Sequence, residues 1–168
     1  MKVICRSGEF LVEDIVEEYT PMLYRLAMVR TNNPADAEEV VQDTFLRLIR
    51  QIQKGMVFED KEHVKAWLLK VAVNRGKSIV TLMWNKRTEG LDAAADIPAK
   101  EGKEAYAYEY VLKLPEKYRV AINLFYYEQL STEQIAEIMR TKPSTVRSYL
   151  HRGREKLKEM MEADGYVG

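Results

Sequence analysis

"STEQIAEIMRTKPSTVRSYLHRGREKL", residues 131–157, decides the fold class. Ser131 is a natural helix N-cap, and Gln134 three residues later completes a capping box. Ile135, Ala136 and Met139 fall on one side of the helix so predicted, and the small Ala136 lets another helix approach closely. "RTKP" closes that helix, and Pro143 suits the first turn of a second one. Two short helices across a tight turn are helix-turn-helix spacing. In the second helix Val146, Leu150, Gly153 and Leu157 recur at helical steps and face the core. Arg147, His151, Arg154 and Lys158 share a second side, and Thr145, Ser148, Arg152 and Lys156 a third.

Two readings of that helix stand side by side. In a helix-turn-helix the early part of the second helix enters the major groove. There Arg pairs with guanine edges, and Ser or Thr bonds bases or phosphates. The plainer reading is the wet basic face of an amphipathic helix. The capping box and turn spacing favour the first.

Charge patterning supports it. The 168 residues carry 26 basic and 26 acidic groups, so the net charge is zero. Yet residues 59–87 hold seven basic groups against three acidic, and residues 119–158 hold eight against four. An acidic block, 88–118, lies between them with four basic and seven acidic groups. Two separated basic blocks suit nucleic acid, where the total would not.

The rest of the chain is also helical in period, with no sustained strand-like alternation. A first helix is predicted over 9–30, with Phe10, Ile15, Leu23, Leu26 and Ala27 as its apolar face and Pro21 placed to bend or break it. In "NPADAEEVVQDTFLRLIRQI" Asn33 is the N-cap and Pro34 the first helical residue. Asp36, Glu38 and Glu39 follow in the positive end of the helix dipole. Val41, Phe45, Leu48 and Ile52 form its buried stripe. "KGMVFEDKE" reads as a loop. A third helix, about 62–85, turns Val64, Trp67, Leu68 and Val71 inward. "AWLLKVAVNRGKSIVTLMWNKR", residues 66–87, has five basic groups and no acid. It is either another solvated face or a cationic surface for single-stranded nucleic acid.

Residues 88–104, with Gly90, Pro98, Gly102 and scattered acids, read as a linker. A short helix is expected around 104–112. Pro115 then opens another, with Tyr118, Ala121, Ile122 and Phe125 buried. The fold class is therefore all-α, in two small helical units joined by a linker.

Several function classes are excluded. No apolar run approaches the roughly 18–20 residues of a membrane span, and the N-terminus lacks a signal-peptide layout. The lone Cys5 cannot form an internal disulfide, which fits a reducing compartment. His63, His151 and Cys5 lack metal-ligand spacing. No phosphate loop or nucleophile motif is present, so no enzyme activity and no cofactor are expected.

The segments "YTPMLYRLA", "DAEEVVQDTFLRLIR", "AWLLKVAVNRGKS" and "LPEKYRVAINLFYYEQLSTEQIAEIM…STVRSYLHRGREKL" resemble, in order and spacing, bacterial RNA polymerase sigma factors of the sigma-70 family. The short length resembles the extracytoplasmic-function (ECF) group, with regions 2 and 4 only. The resemblance covers about residues 9–160. It implies region 2 over 1–87, a linker over 88–104 and region 4 with its helix-turn-helix over 105–168. The implied function is promoter-specific transcription initiation with core RNA polymerase, in a stress or envelope response. A stand-alone helix-turn-helix regulator is the alternative, disfavoured because the N-terminal half carries an acidic helix followed by a basic one.

The resemblance also implies site residues. Thr145, Arg147, Ser148, His151 and Arg152 would read the −35 element. Asn74, Arg75, Lys77 and Ser78 would capture the −10 element as it opens, where binding an extruded base offsets part of the unstacking cost. Asp36, Glu39, Gln42 and Asp43 would dock on the β′ clamp helices of polymerase. Asp36 has a plainer alternative as a helix N-terminal acid. The β subunit, promoter DNA and an anti-sigma factor are the other implied partners, in the cytoplasm without membrane insertion. Arg140 and Gln129 stand where the family often has Gly, Thr141 where an apolar residue is usual, Ser78 where Asp is common and Tyr149 where Arg is. A left-handed turn residue would strain Arg140.

Overall fold

The computed structural model describes residues 1–84 and 103–165, with side chains described over 1–75 and 108–165. The chain divides into two compact units, Met1–Ala93 and Ala94–Gly168.

Unit 1 contains β1 (Lys2–Cys5), β2 (Gly8–Leu11), α1 (Val12–Thr31), α2 (Pro34–Gln53), β3 (Val57–Phe58) and α3 (Lys61–Trp84). The three long helices pack on one another. Ile15, Leu23, Leu26, Ala27, Leu48, Val64 and Leu68 are completely buried at their centre. Pro21 lies inside a continuous α1. Its position is exposed, so the carbonyl it leaves unpaired can be hydrated. Asn33 caps α2 by accepting from the Asp36 amide at 3.1 Å, and Pro34 is its first residue, as the sequence predicts.

The small sheet departs from the expected helix over 9–30. Its order is β2-β1-β3, with β1 antiparallel to β2 and parallel to β3. Val3 and Cys5 point inward, while Lys2 and Ile4 point out. Phe10 therefore belongs to β2, paired with Val3, and α1 begins only at Val12. The expected loop also holds a strand, Val57–Phe58. Phe58 is fully buried, with edge-on contacts to His63 and Trp67. His63 takes part in the cap of α3. Its backbone amide donates to Asp60 Oδ1 at 2.8 Å, and its ring Nδ1 accepts from the Glu59 amide at 3.0 Å.

Helix α3 buries more than the expected stripe. It contacts both α1 and α2, so Leu69, Ala72 and Val73 join Val64 and Leu68 inside, whereas Trp67 and Val71 are only half-buried.

Unit 2 contains α4 (Lys103–Leu112), α5 (Glu116–Ile122), a π-helical turn (Asn123–Tyr127), α6 (Thr132–Met139) and α7 (Pro143–Ala163). The π turn is closed by the Glu128 amide donating to the Asn123 carbonyl at 3.2 Å. One extra residue per turn rotates the following side chains. Leu124 is buried in place of the expected Phe125, which is half-exposed. Asn123 is fully buried, and neither atom of its amide has a partner. At α6, Ile138 is buried and Met139 only half-buried. The Tyr110 hydroxyl donates to Asp164 Oδ2 at 2.6 Å and ties α4 to the end of α7.

Candidate nucleic-acid and polymerase interface

The helix-turn-helix is built as its sequence predicts. Ser131 Oγ accepts from the Gln134 amide at 3.1 Å, and Gln134 Oε1 accepts from the Ser131 amide at 2.9 Å. At the far end of α6 the Arg140 amide donates to Glu137 and the Thr141 amide to Ala136, a Schellman closure. It requires a left-handed residue, and Arg140 supplies it at φ 55°, ψ 49°. Gln129 also sits at φ 55°. Both positions flagged in the sequence are therefore strained.

Helix α7 is held by Val146, Leu150 and Gly153. A Cβ on Gly153 would come within 3.1 Å of Ile122 Cγ1, so the absence of a side chain sets how closely α5 and α7 approach. Opposite this seam, Arg147, His151 and Arg152 are exposed, and Thr145 and Ser148 are half-buried beside them. The five candidate readers thus share the outer part of one helix. Glu133 faces this surface. Its carboxyl is held below the usual range by its own backbone amide and the Thr132 hydroxyl, with a smaller contribution from Arg147. His151 Nε2 lies 3.2 Å from Glu155 Oε1, with both side chains well exposed. Arg154 donates from Nη1 to the Tyr126 hydroxyl at 3.0 Å. Tyr149 packs against Tyr118, with Lys117 over both rings, so it faces its own unit.

In unit 1, Glu39 and Gln42 are exposed on α2. Asp36 is only 5% exposed and offers little surface. Asp43 sits between two guanidinium groups. Its Oδ2 accepts from Arg47 Nε at 2.8 Å and lies 3.0 Å from Arg75 Nε. The Arg75 contact is an ion pair by distance, but its N–H is not aimed at the oxygen, so Nε makes no aligned hydrogen bond. Asn74 and Arg75 are half-buried on α3. Lys77 and Ser78 continue that helix, and their side chains lie outside the described residues.

The structure therefore joins residues from two expected surfaces, Asp43 from α2 and Arg75 from α3. Sequence reasoning missed this cross-helix contact. The Asp43–Arg47 half was readable, because an acid four residues before a base pairs on one helix face. Among the described residues no group of three or more His, Cys, Asp or Glu could hold a metal, and no helix is long and apolar enough to cross a membrane.

Comparison with known proteins places this geometry. Residues 15–80 match the family model for Sigma-70 region 2, and residues 105–157 match Sigma-70, region 4. The RNA polymerase sigma-E factor of Streptomyces avermitilis is 30% identical over 93% of this chain and 88% of its own length. The ECF RNA polymerase sigma factor SigW of Bacillus subtilis is 27% identical over 96% and 94%. Among solved structures, the sigma factor RpoE of Bartonella quintana, in complex with the anti-sigma factor NepR, shares the fold at a TM-score of 0.72. It is 24% identical, over 90% of this chain and 99% of that one. CnrH, solved with the cytosolic domain of CnrY, aligns at 0.65 with 21% identity, over 91% and 88%. With both region models matched in order and a 30% identical relative along nearly its whole length, the chain belongs to the sigma-70 family of RNA polymerase sigma factors, in the ECF group.

Proposed function

We propose that this sigma factor binds core RNA polymerase and directs it to promoters by a division of labour between its units. Residues 1–87 act as region 2, 88–104 as the linker and 105–168 as region 4. One observation carries the reading. A capped helix-turn-helix with Arg147, His151 and Arg152 on its outer face occurs in the same chain as a three-helix unit matching Sigma-70 region 2. A stand-alone regulator has no use for the second element.

In this reading Thr145, Arg147, Ser148, His151 and Arg152 hold the −35 duplex. Asn74, Arg75, Lys77 and Ser78 receive the −10 strand. Glu39, Gln42 and Asp43 meet the β′ clamp helices, and region 4 meets the β subunit. Asp36 serves mainly as a buried acid in the first turn of α2. An anti-sigma factor is the regulatory partner, a reading supported by the relative solved with one. Binding and strand opening need no covalent chemistry from this chain and no cofactor. The setting is the cytoplasm, and the regulon answers stress or envelope signals.

The test is run-off transcription with purified core polymerase on a promoter library, which should enrich paired −35 and −10 motifs. Failure to bind core, together with tight promoter binding by the free protein, would overturn the reading. Within that assay Arg147→Ala should reduce −35 discrimination by about 1–3 kcal/mol. An equal loss on every −35 sequence would make Arg147 a phosphate contact instead.

A further inference from the structure

We propose that Asp43 is a positioning residue for −10 recognition, fixing from helix α2 the direction of the Arg75 guanidinium on helix α3. The proposal rests on the assignment of α3 to the −10 strand. It differs from that assignment in giving Asp43 a task that remains after polymerase has bound.

The contact itself argues for this. Arg75 Nε is closed off from solvent, so water cannot take the place of Asp43 as its counter-charge. A quarter of the Arg75 side chain remains exposed, so part of it is open to a ligand. An arginine held by charge at its inner nitrogen and open elsewhere is partly pre-organised: less rotamer freedom is lost when it meets a phosphate or base. The attraction across 3.0 Å in a half-buried place also survives salt better than a surface pair would.

The same oxygen is shared. Asp43 Oδ2 takes the aligned hydrogen bond from Arg47, one helical turn away, while the Arg75 N–H is misdirected. Arg47 therefore draws the carboxylate away from its best alignment with Arg75. Loss of Arg47 frees the oxygen to turn toward α3. Loss of the Asp43 charge leaves a guanidinium with a buried, unpaired Nε, which must find another orientation. The carboxylate stands on the helix assigned to polymerase docking, so occupation of α2 by its partner also bears on the clamp.

The experiment uses the reconstituted holoenzyme with core polymerase in saturating amounts, so that weakened docking is compensated. Base preference across the −10 element and the yield of open complex are read by permanganate footprinting. Asp43→Asn should lower −10 discrimination by roughly three- to tenfold, as expected for one contacting pair. Arg75→Lys should lower it too. The double variant should be no worse than Arg75→Lys alone, because both changes disable the same device. Asp43→Glu, which keeps the charge, should restore much of the preference. Arg47→Ala should leave −10 discrimination intact or raise it.

Full recovery of Asp43→Asn by excess core would overturn the proposal, and so would additive losses in the double variant or a loss with Arg47→Ala equal to that of Asp43→Asn. These failures are separable from failure of the functional reading. In the latter case the unaltered protein itself would give no promoter-specific transcript.

Discussion

One helix in each unit, α2 and α6, ends in the same way but with different residues. In unit 1, α2 closes with the Gly55 amide donating to Ile52 and the Met56 amide to Gln51. That is the bonding seen again at Arg140 and Thr141 in unit 2. Unit 1 gives its left-handed positions to Asn32 and Gly55, which tolerate them. The helix-turn-helix gives its own to Gln129 and Arg140, which do not. Unit 2 also buries the side-chain amide of Asn123, in its π turn, without a partner. Unit 1 therefore gives its left-handed turns to residues that tolerate them, and unit 2 departs from that consistency around its candidate reading helix. Such departures gather where function competes with stability.

The largest test addresses whether these are two cores. Leu26 is completely buried in α1, so Leu26→Ala should cost unit 1 about 2–5 kcal/mol. Trp67 and Trp84, the two tryptophans of the chain, both lie in unit 1. Tryptophan fluorescence in urea should therefore show the loss, while the helical signal of unit 2 unfolds at its original midpoint. Joint movement of both transitions would break the comparison.

A smaller gain is expected in unit 2. Asn123→Leu replaces the unpaired amide with an apolar side chain of similar size and should stabilise that unit by about 1–2 kcal/mol in thermal unfolding. A loss instead would mean that the amide is bridged by buried water and belongs to the design. The smallest pair of changes sharpens the contrast directly. Arg140→Gly should stabilise unit 2 by about 1 kcal/mol, and Gly55→Ala should destabilise unit 1 by about the same amount. Equal signs for the two would show that the left-handed positions are not equivalent.

What could be read in the sequence beforehand was whatever local chemistry decides. The cap at Asn33, the proline after it and the box from Ser131 to Gln134 act within four residues, and each forms as expected. The sheet was not legible because its strands have four, four and two residues. That is too short for alternation to register, and one pairing joins residues 4 and 5 to residues 57 and 58. The π turn was invisible for another reason. Its one-residue shift leaves the apolar pattern plausible in either register, so Phe125 and Leu124 exchange places without a signal. At the candidate interface the exposed side of α7 followed from spacing. The Asp43–Arg75 contact did not, because it depends on how α2 and α3 are rotated against each other.

Arg140 carries a consequence beyond its turn. Every arginine codon lies a single base change from a glycine codon, so the relaxed form of this turn is within easy mutational reach. The strain is therefore not a trap of genetic distance. An exposed cation at the entrance to α7 is something glycine could not provide. Relief of the strain and loss of that charge are one and the same mutation, so glycine cannot relax this turn without also removing an exposed cation beside α7.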